Sequence, residues 1–450
     1  MIGGESDPVG APSQGAPARD GFDLLLRVAI VLGLAGVLWV TFATDAFGPL
    51  LRAAEARHWA RLVKSPAVLW AAMGSILLCV RTALWFRYRP APPATMAEAP
   101  FITVVIPAYN EGPMVAKTID SVARANYPRD RLEVFAVDDG SRDDTWDHIR
   151  RAAARHEGLV SAIKLPWNMG KRHALAAGFR RASGALLVTI DSDSVIEPDA
   201  LLSLAGPFRE RRIGAVAGKV AVLNREQGLI SRMLAVRFIL SFDFLRAVQS
   251  TYGTVYCCPG ALTAYRASVV HALLERWLGD TFLGSPCTFG EDRAMTNLIL
   301  GAGFDTVYQR TAVVRTMVPS KYVKLCKMYL RWDRSYVREE IRYAWIVWRR
   351  PPRAMLLSLF ETILNNLRYP VYYGSLFLLV ALLPDHPLVL VRLLVAIGVV
   401  SLFNMLYYLR SERSGDFLYG MLYAYFALFT LFWIFPYAAL TVRARGWLTR

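Results

Sequence analysis

FITVVIPAYN at residues 101–110 is the stretch on which the fold turns. Its β-branched and aromatic residues run on without polar alternation, the mark of a strand buried on both faces, and the run ends in a loop at Asn110. Outward from it, further short apolar runs occur at Glu133 to Val137, Leu159 to Leu165 and Ala185 to Ile190. Helical patterns at Met114 to Ala125, Thr145 to His156 and Lys171 to Ala182 separate them. This alternation predicts an α/β domain over about residues 100–320, built on a mostly parallel, doubly wound sheet. Ligands of such sheets bind at the carboxyl ends of the strands.

The flanks have another composition. Residues 1–20 are rich in Gly, Pro, Ala and Ser and are expected to be a flexible tail. Within 21–90, Leu24 to Ala43 and Val68 to Phe86 are each long enough to cross a hydrocarbon core of about 30 Å. Pro90, Pro92 and Pro93 then mark a linker. Residues 321–366 mix Trp332, Tyr336, Tyr343, Trp345 and Trp348 with many basic side chains, as in helices lying in a membrane interface. Residues 367–450 hold apolar stretches at Tyr369 to Leu383, Leu388 to Tyr408 and Phe417 to Val442, enough for three or four spans.

With 54% hydrophobic residues and a mean hydropathy of +0.31, a multi-pass integral membrane protein is expected. Its basic flanks at Arg87, Arg89 and Arg349 to Arg353 place the soluble domain in the cytosol, at the plasma (inner) membrane. The loop cations Arg52, Arg57, Arg61 and Lys64 run against that tendency. A net charge of +16 suits lipid headgroups or diphosphate. No zinc-finger spacing, RNP-type signature or heptad-bearing basic helix accompanies it, so no nucleic-acid partner is expected. Cys79, Cys257, Cys258, Cys287 and Cys326 lack metal-ligand spacing and read as free thiols.

Polar clusters follow the strands. Asp138-Asp139-Gly140-Ser141 comes at the end of one apolar run, where an Asp-Gly turn is also an ordinary feature. Asp191-Ser192-Asp193 follows another, and two carboxylates one residue apart can reach one Mg2+ or Mn2+ ion, or cap the next helix. Trp167, Asn168, Gly170, Lys171, Arg172 and His173 lead into a helix, a setting that favours phosphate, or in which Lys171 and Arg172 form an exposed basic face. Gly290-Glu291-Asp292 opens a helix, where Asp292 suits a general base and equally a first-turn acid. Arg331 and Trp332 pair a diphosphate-binding group with an indole that stacks on sugars, or that anchors in lipid.

In this order, with Pro107-Ala108-Tyr109-Asn110-Glu111 first, the clusters resemble the processive family-2 glycosyltransferases. Phe282 to Arg293, Pro319-Ser320-Lys321-Tyr322 and the ending Gly446-Trp447-Leu448-Thr449-Arg450 are most similar to the hyaluronan synthases and the chitin and chitooligosaccharide synthases. The resemblance implies a GT-A type nucleotide-sugar transferase domain inserted between N-terminal and C-terminal transmembrane helices. It implies that Tyr109, Glu111 and Asp139, with Asp138 beside them, hold the donor's uridine, and that Lys171 approaches the UDP. Asp191 and Asp193 would hold donor and metal, and Asp292, next to Glu291, would be the base. Cys258-Pro259-Gly260 would line the acceptor site, with Arg331 and Trp332 at the diphosphate and channel entrance. Met328 stands where that family's Gln-x-x-Arg-Trp motif has glutamine.

The expected reaction is an inverting, single-displacement transfer from a UDP-sugar to a growing saccharide, with a β-linked product. UDP-GlcNAc with UDP-GlcA is the first donor set. UDP-GlcNAc alone, single transfer to a lipid carrier, and an inactive exporter or scaffold are the alternatives. Asn365, Asn366, Arg368, Tyr372, Tyr373, Asn404 and Tyr423 put polar groups at bilayer depth, as a saccharide path would require.

Overall fold

The computed structural model describes residues 21–56 and 66–444. The tail at 1–20, Arg57, Arg61 and Lys64, and the ending at 446–450 lie outside the described residues. Strands form at β1 (Ile102–Ala108), β2 (Leu132–Asp138), β3 (Val160–Lys164), β4 (Leu186–Thr189), β5 (Ser194–Ile196), β6 (Ile213–Val222), β7 (Thr263–Arg266), β8 (Thr281–Phe282), β9 (Ser285–Pro286) and β10 (Asp305–Thr316). Eight of them make one sheet in the order β3-β2-β1-β4-β7-β6-β10-β5, and β8 and β9 pair as a hairpin.

All seven residues of β1 are buried. Val104 and Ile106 face one core while Val105 joins Val137 and Leu187 in the other, which explains the missing alternation. Each such side chain contributes roughly 1.5–3 kcal/mol of burial. The helix Lys171–Phe179 lies close on β1, since a Cβ at Gly178 would come within 2.5 Å of Val105 Cγ1.

The sheet is mixed, where the strand–helix alternation suggests a mostly parallel one. β1 runs parallel to β2 and β4, β2 to β3, and β6 to β10. β7 runs against both β4 and β6, and β5 against β10. The cause is the path after β6. The chain passes through helices Leu229–Ile239 and Leu245–Ser250 and re-enters at the carboxyl edge of the sheet, so that Thr263 at the start of β7 pairs with Thr189 at the end of β4. Cys257 to Ala261, just before β7, is thereby delivered to the edge that carries Asp138 and Asp191.

The remaining helices pack as a layer beside this domain. Among the described residues, Leu388–Glu412 is the one helix that alone is long and apolar enough to cross a membrane. Two bent pairs, Arg27–Ala43 with Gly48–Glu55 at 55° and Phe417–Thr430 with Ile434–Leu440 at 53°, raise the number to three if each is one span. The last apolar stretch therefore breaks at Leu431 to Trp433, and Pro436 sits in the first turn of the final helix, where its missing N–H costs nothing. Pro352–Leu382 is one continuous helix, so the expected boundary at 366/367 falls inside it. Helix Pro66–Arg87 docks on it through a buried ion pair: Arg81 Nε and Nη2 donate to Glu361 at 2.8 and 3.0 Å, and Nη2 also to Asn365 Oδ1 at 2.8 Å.

Candidate active site

The loops after β1 and β2 are tied together. Asn110 takes a left-handed backbone (φ 52°). Its N–H donates to Ser141 Oγ, its Oδ1 accepts from Arg142 N–H, and Glu111 N–H donates to Thr145 Oγ1. Tyr109 and Glu111 thus lie on the loop that faces the Asp-Asp-Gly-Ser turn. Gly140 has a φ of 70°, and a Cβ there would run into the backbone of Trp167 and Asn168.

Asp138 is fully buried and accepts from Ser141 N–H through Oδ1, while its Oδ2 has no hydrogen-bond partner among the described residues. Asp139 clamps the next loop, its two oxygens accepting the N–H groups of Met169 at 2.8 Å and Gly170 at 2.9 Å. Burial pushes its carboxyl up against the pull of those bonds.

The clamp sets the start of helix Lys171–Phe179, preceded by Gly170 at φ 92°. Lys171 Nζ lies 2.5 Å from Asp191 Oδ1 and 3.0 Å from Glu291 Oε1. Burial alone would lower this ammonium's pKa, but Asp191 and Glu291 outweigh it and hold the group firmly protonated. Gly260 closes over the pair: a Cβ there would stand 2.7 Å from Lys171 Nζ and 3.3 Å from Asp191 Oδ1. Asp193 sits beside the end of β10, its Oδ1 accepting from Ser194 and Thr316 at 3.2 and 3.1 Å. Its carboxyl is pushed up to about 6, first by burial and then by Asp191.

Opposite stands the start of helix Glu291–Gly301. Gly290 is left-handed (φ 74°) and abuts Ser335 and Arg338, while Arg338 Nη2 donates to Phe289 O at 2.6 Å. This contact docks the Gly-Glu-Asp turn on helix Tyr322–Ile346, which carries Arg331 and Trp332. Arg331 is close enough to help hold Glu291 ionised. Burial would raise Glu291, but Lys171 outweighs it and draws the carboxyl down to about 2. Its neighbour Asp292 moves the other way, raised by burial and then by Glu291. Asp292 Oδ1 accepts from Arg293 N–H at 2.8 Å, and the Cys257 thiol lies 3.5 Å from Oδ2. Cys258 is fully buried beside it, its N–H donating to Thr296 Oγ1. Trp332 packs among Phe238, Phe242 and Tyr329 at 5.7–6.2 Å between ring centres. Met328 is buried in the main core with Leu325 and Val318.

The structure therefore brings Lys171, Asp191, Asp193, Gly260, Glu291 and Asp292 to one crevice, with Asp138 and Asp139 behind the Lys171 loop. Reading the sequence missed three contacts: Lys171 bridging to Glu291, Thr316 on Asp193, and Cys257 against Asp292. None has a local signal, because each joins loops, helix starts or a strand end far apart in the chain.

A mixed sheet with this carboxylate-lined crevice at the ends of its central strands defines a GT-A-type glycosyltransferase fold. Among solved structures, the chain resembles a mannosyltransferase from Pyrobaculum calidifontis in complex with GDP-Man and Mn2+. The TM-score is 0.55 over 85% of this chain and 99% of that one, at 21% identity, a likeness of fold alone. Residues 103–274 match the family described as glycosyl transferase family 2. The chain is 33% identical over 354 residues to a hyaluronan synthase of Streptococcus pyogenes, covering 78% of this chain and 83% of that protein. It is 36% identical over 250 residues to an N-acetylglucosaminyltransferase of Rhizobium meliloti, covering 55% of this chain and 58% of that relative, less than two thirds of its length. The chain belongs to glycosyl transferase family 2.

Proposed function

We propose that the chain is an inverting membrane glycosyltransferase that polymerises N-acetylglucosamine and glucuronic acid from their UDP donors, in the manner of a hyaluronan synthase. The observation that carries the reading is the place of Asp292. Its raised carboxyl adjoins Glu291, which shares Lys171 with Asp191, so a candidate base and a candidate donor site lie in one crevice.

A base is most effective when its pKa approaches the working pH, and burial moves Asp292 in that direction. The acceptor oxygen bonds to the anomeric carbon as its proton passes to Asp292. The bond from that carbon to the UDP oxygen breaks on the opposite face, and UDP leaves with the electron pair. Arg331 opposes the charge that develops on the diphosphate. Tyr109, Glu111 and Asp139 hold the uridine, Cys258 to Gly260 line the acceptor, and Trp332 carries its ring.

Asp191 and Asp193 would hold a divalent cation, Mg2+ or Mn2+. The donor set fits: two hard carboxylates at one strand end, with Asp193 held above its ordinary value by burial and by Asp191. Ions of this kind complete their shells with water and substrate phosphate. When bound, the cation supplies neutralising charge to the leaving diphosphate.

The helical layer anchors the enzyme in the bilayer with the catalytic domain on the cytosolic side. Exposed Trp345 and Trp348 lie at the interface, and the polar residues of Pro352–Leu382 supply a path for export. The similarity to N-acetylglucosaminyltransferases favours a second reading, a chitooligosaccharide-type product from UDP-GlcNAc alone.

The test is incorporation of labelled sugar by the purified protein in lipid vesicles with Mn2+, given each donor singly and both together. Dependence on both, with a product cut by hyaluronidase, is expected. Incorporation from UDP-GlcNAc alone would establish the second reading, and polymer confined to the donor side of the vesicles would remove export.

A further inference from the structure

Between helices Leu229–Ile239 and Leu245–Ser250 the chain makes a π-helical turn at Leu240–Phe244. Such turns sacrifice regular hydrogen bonding and concentrate at functional sites. Arg246 follows two residues later, as the second residue of the next helix. Its Nη1 donates to Ser241 O at 2.9 Å and its guanidinium lies 4.6 Å from the centre of the Phe242 ring. Its Nε has no hydrogen-bond partner among the described residues, although the residue is only 8% exposed. The nearest acid in sequence, Asp243, is taken by Arg310 at 2.7 Å and Lys219 at 3.6 Å.

Cys257, Arg293, Cys258 and Asp292 are close enough to bear on the charge of Arg246. Phe242, under its guanidinium, packs edge-on against Trp332 at 6.2 Å. A buried cation with no ion-pair partner among the described residues thus stands near both the proposed base and, through Phe242, the indole proposed to carry the acceptor ring. Keeping a guanidinium there is costly while Ser241 O meets only one of its N–H groups and the Nε–H meets none, and its pKa is lowered by burial and then held up in part by Cys257. Arg293 adds a second cation on the same side, over the Tyr336 ring at 5.3 Å.

We infer that Arg246 is a specificity-determining residue of the acceptor site, its guanidinium donating to an acyl oxygen on the acceptor sugar, the carbonyl of an acetamido group or the carboxylate of a uronate. Both are planar sp2 oxygens, matched to a planar, always-charged donor better than a ring hydroxyl is. The assignment rests on the transferase reading of Asp292. It assigns Arg246 to the acceptor and leaves the donor to the Lys171 side of the crevice.

The experiment uses the full chain in lipid and measures transfer from UDP-GlcNAc to short acceptors ending in N-acetylglucosamine, glucuronic acid or glucose, the last bearing neither acyl group. Wild type, Arg246→Gln and Arg246→Lys are compared. Arg246→Gln is expected to raise the acceptor KM about tenfold or more for an acyl-bearing end. The KM values for the glucose-ended acceptor and for UDP-GlcNAc should move less than about twofold, with partial recovery in Arg246→Lys. A loss confined to N-acetylglucosamine ends assigns the acetamido carbonyl, and one confined to glucuronic acid ends assigns the carboxylate. Equal loss on all three acceptors, a matching rise in donor KM, or no change overturns the assignment. If Arg246→Gln does not fold, Arg246→Lys, which keeps the charge and loses the planar fork, is read the same way. A wild type that transfers to no acceptor and makes no polymer would instead defeat the transferase reading itself.

Discussion

The two sides of the crevice are held in opposite ways. On the β1–β2–β4 side charges are matched: Asp139 grips two backbone N–H groups, and Lys171 lies between Asp191 and Glu291. On the side of Asp292, Arg246 and Trp332, charges are buried with thin compensation and ringed by aromatics. The dipeptide Glu291-Asp292 spans the divide, one carboxyl drawn down to about 2 by Lys171 against burial and the other raised by burial and its neighbour. A carboxylate of low pKa is a fixed charge, and a raised one can exchange a proton. The matched side is built to hold something in place, and the unmatched side to react.

Asp292→Asn is the strongest way to break that contrast. Transfer should fall by roughly 10²–10⁴-fold, the usual worth of a positioned base, with UDP binding measured by calorimetry kept within about twofold. A variant retaining more than about a tenth of the rate would show that the reacting proton goes elsewhere.

Lys171→Met attacks the matched side. It leaves Asp191 and a nearly buried Glu291 without their shared cation, and removing one partner of a buried pair costs about 3–5 kcal/mol. The melting temperature should drop, and Glu291→Gln added to Lys171→Met should recover part of the loss. No recovery would mean that the lysine stabilises through packing alone. Gly260→Ala should act more gently, crowding Lys171 Nζ from 2.7 Å and raising the donor KM by about tenfold at most.

The contrast follows what was legible in the chain. The strand ends were readable because β1, β2 and β4 are short apolar runs each followed by an acidic or turn-forming cluster. The Cys258-Pro259-Gly260 segment was placed by family resemblance only, since its arrival at the same edge depends on β7 reversing direction after a helical excursion. Arg246 was invisible, a lone cation in the otherwise apolar segment Phe244 to Val248 with no motif around it. Met328 explains itself in three dimensions, since it fills the main core, where a glutamine amide would need a partner. The helical layer was least legible: Arg81, Glu361 and Asn365 neutralise one another across two helices, and hydropathy counts them as separate polar interruptions.

The smallest effect separates the two sides by the sign of their pH dependence. Asp333, one residue beyond Trp332 and half-buried, is pushed up to about 6 by burial, against the pull of Arg368, Arg293 and Arg237. Its folded pKa lies above its ordinary value near 4, so its contribution to stability is complete below about pH 4 and is lost as pH rises through about 6. Glu291, drawn down to about 2, has the opposite sign: its contribution is present above its ordinary value and is lost as pH falls toward 2. Asp333→Asn should therefore match the wild type at pH 4 and melt higher at pH 8 by about 2–4 °C, equivalent to roughly 1 kcal/mol. Glu291→Gln should show no such gain at pH 8, because it removes the partner of Lys171. Melting curves of both variants between pH 4 and pH 8 are the check. If Asp333→Asn stays level with the wild type throughout, Asp333 is adequately compensated by its three arginines and the unmatched region ends at Trp332.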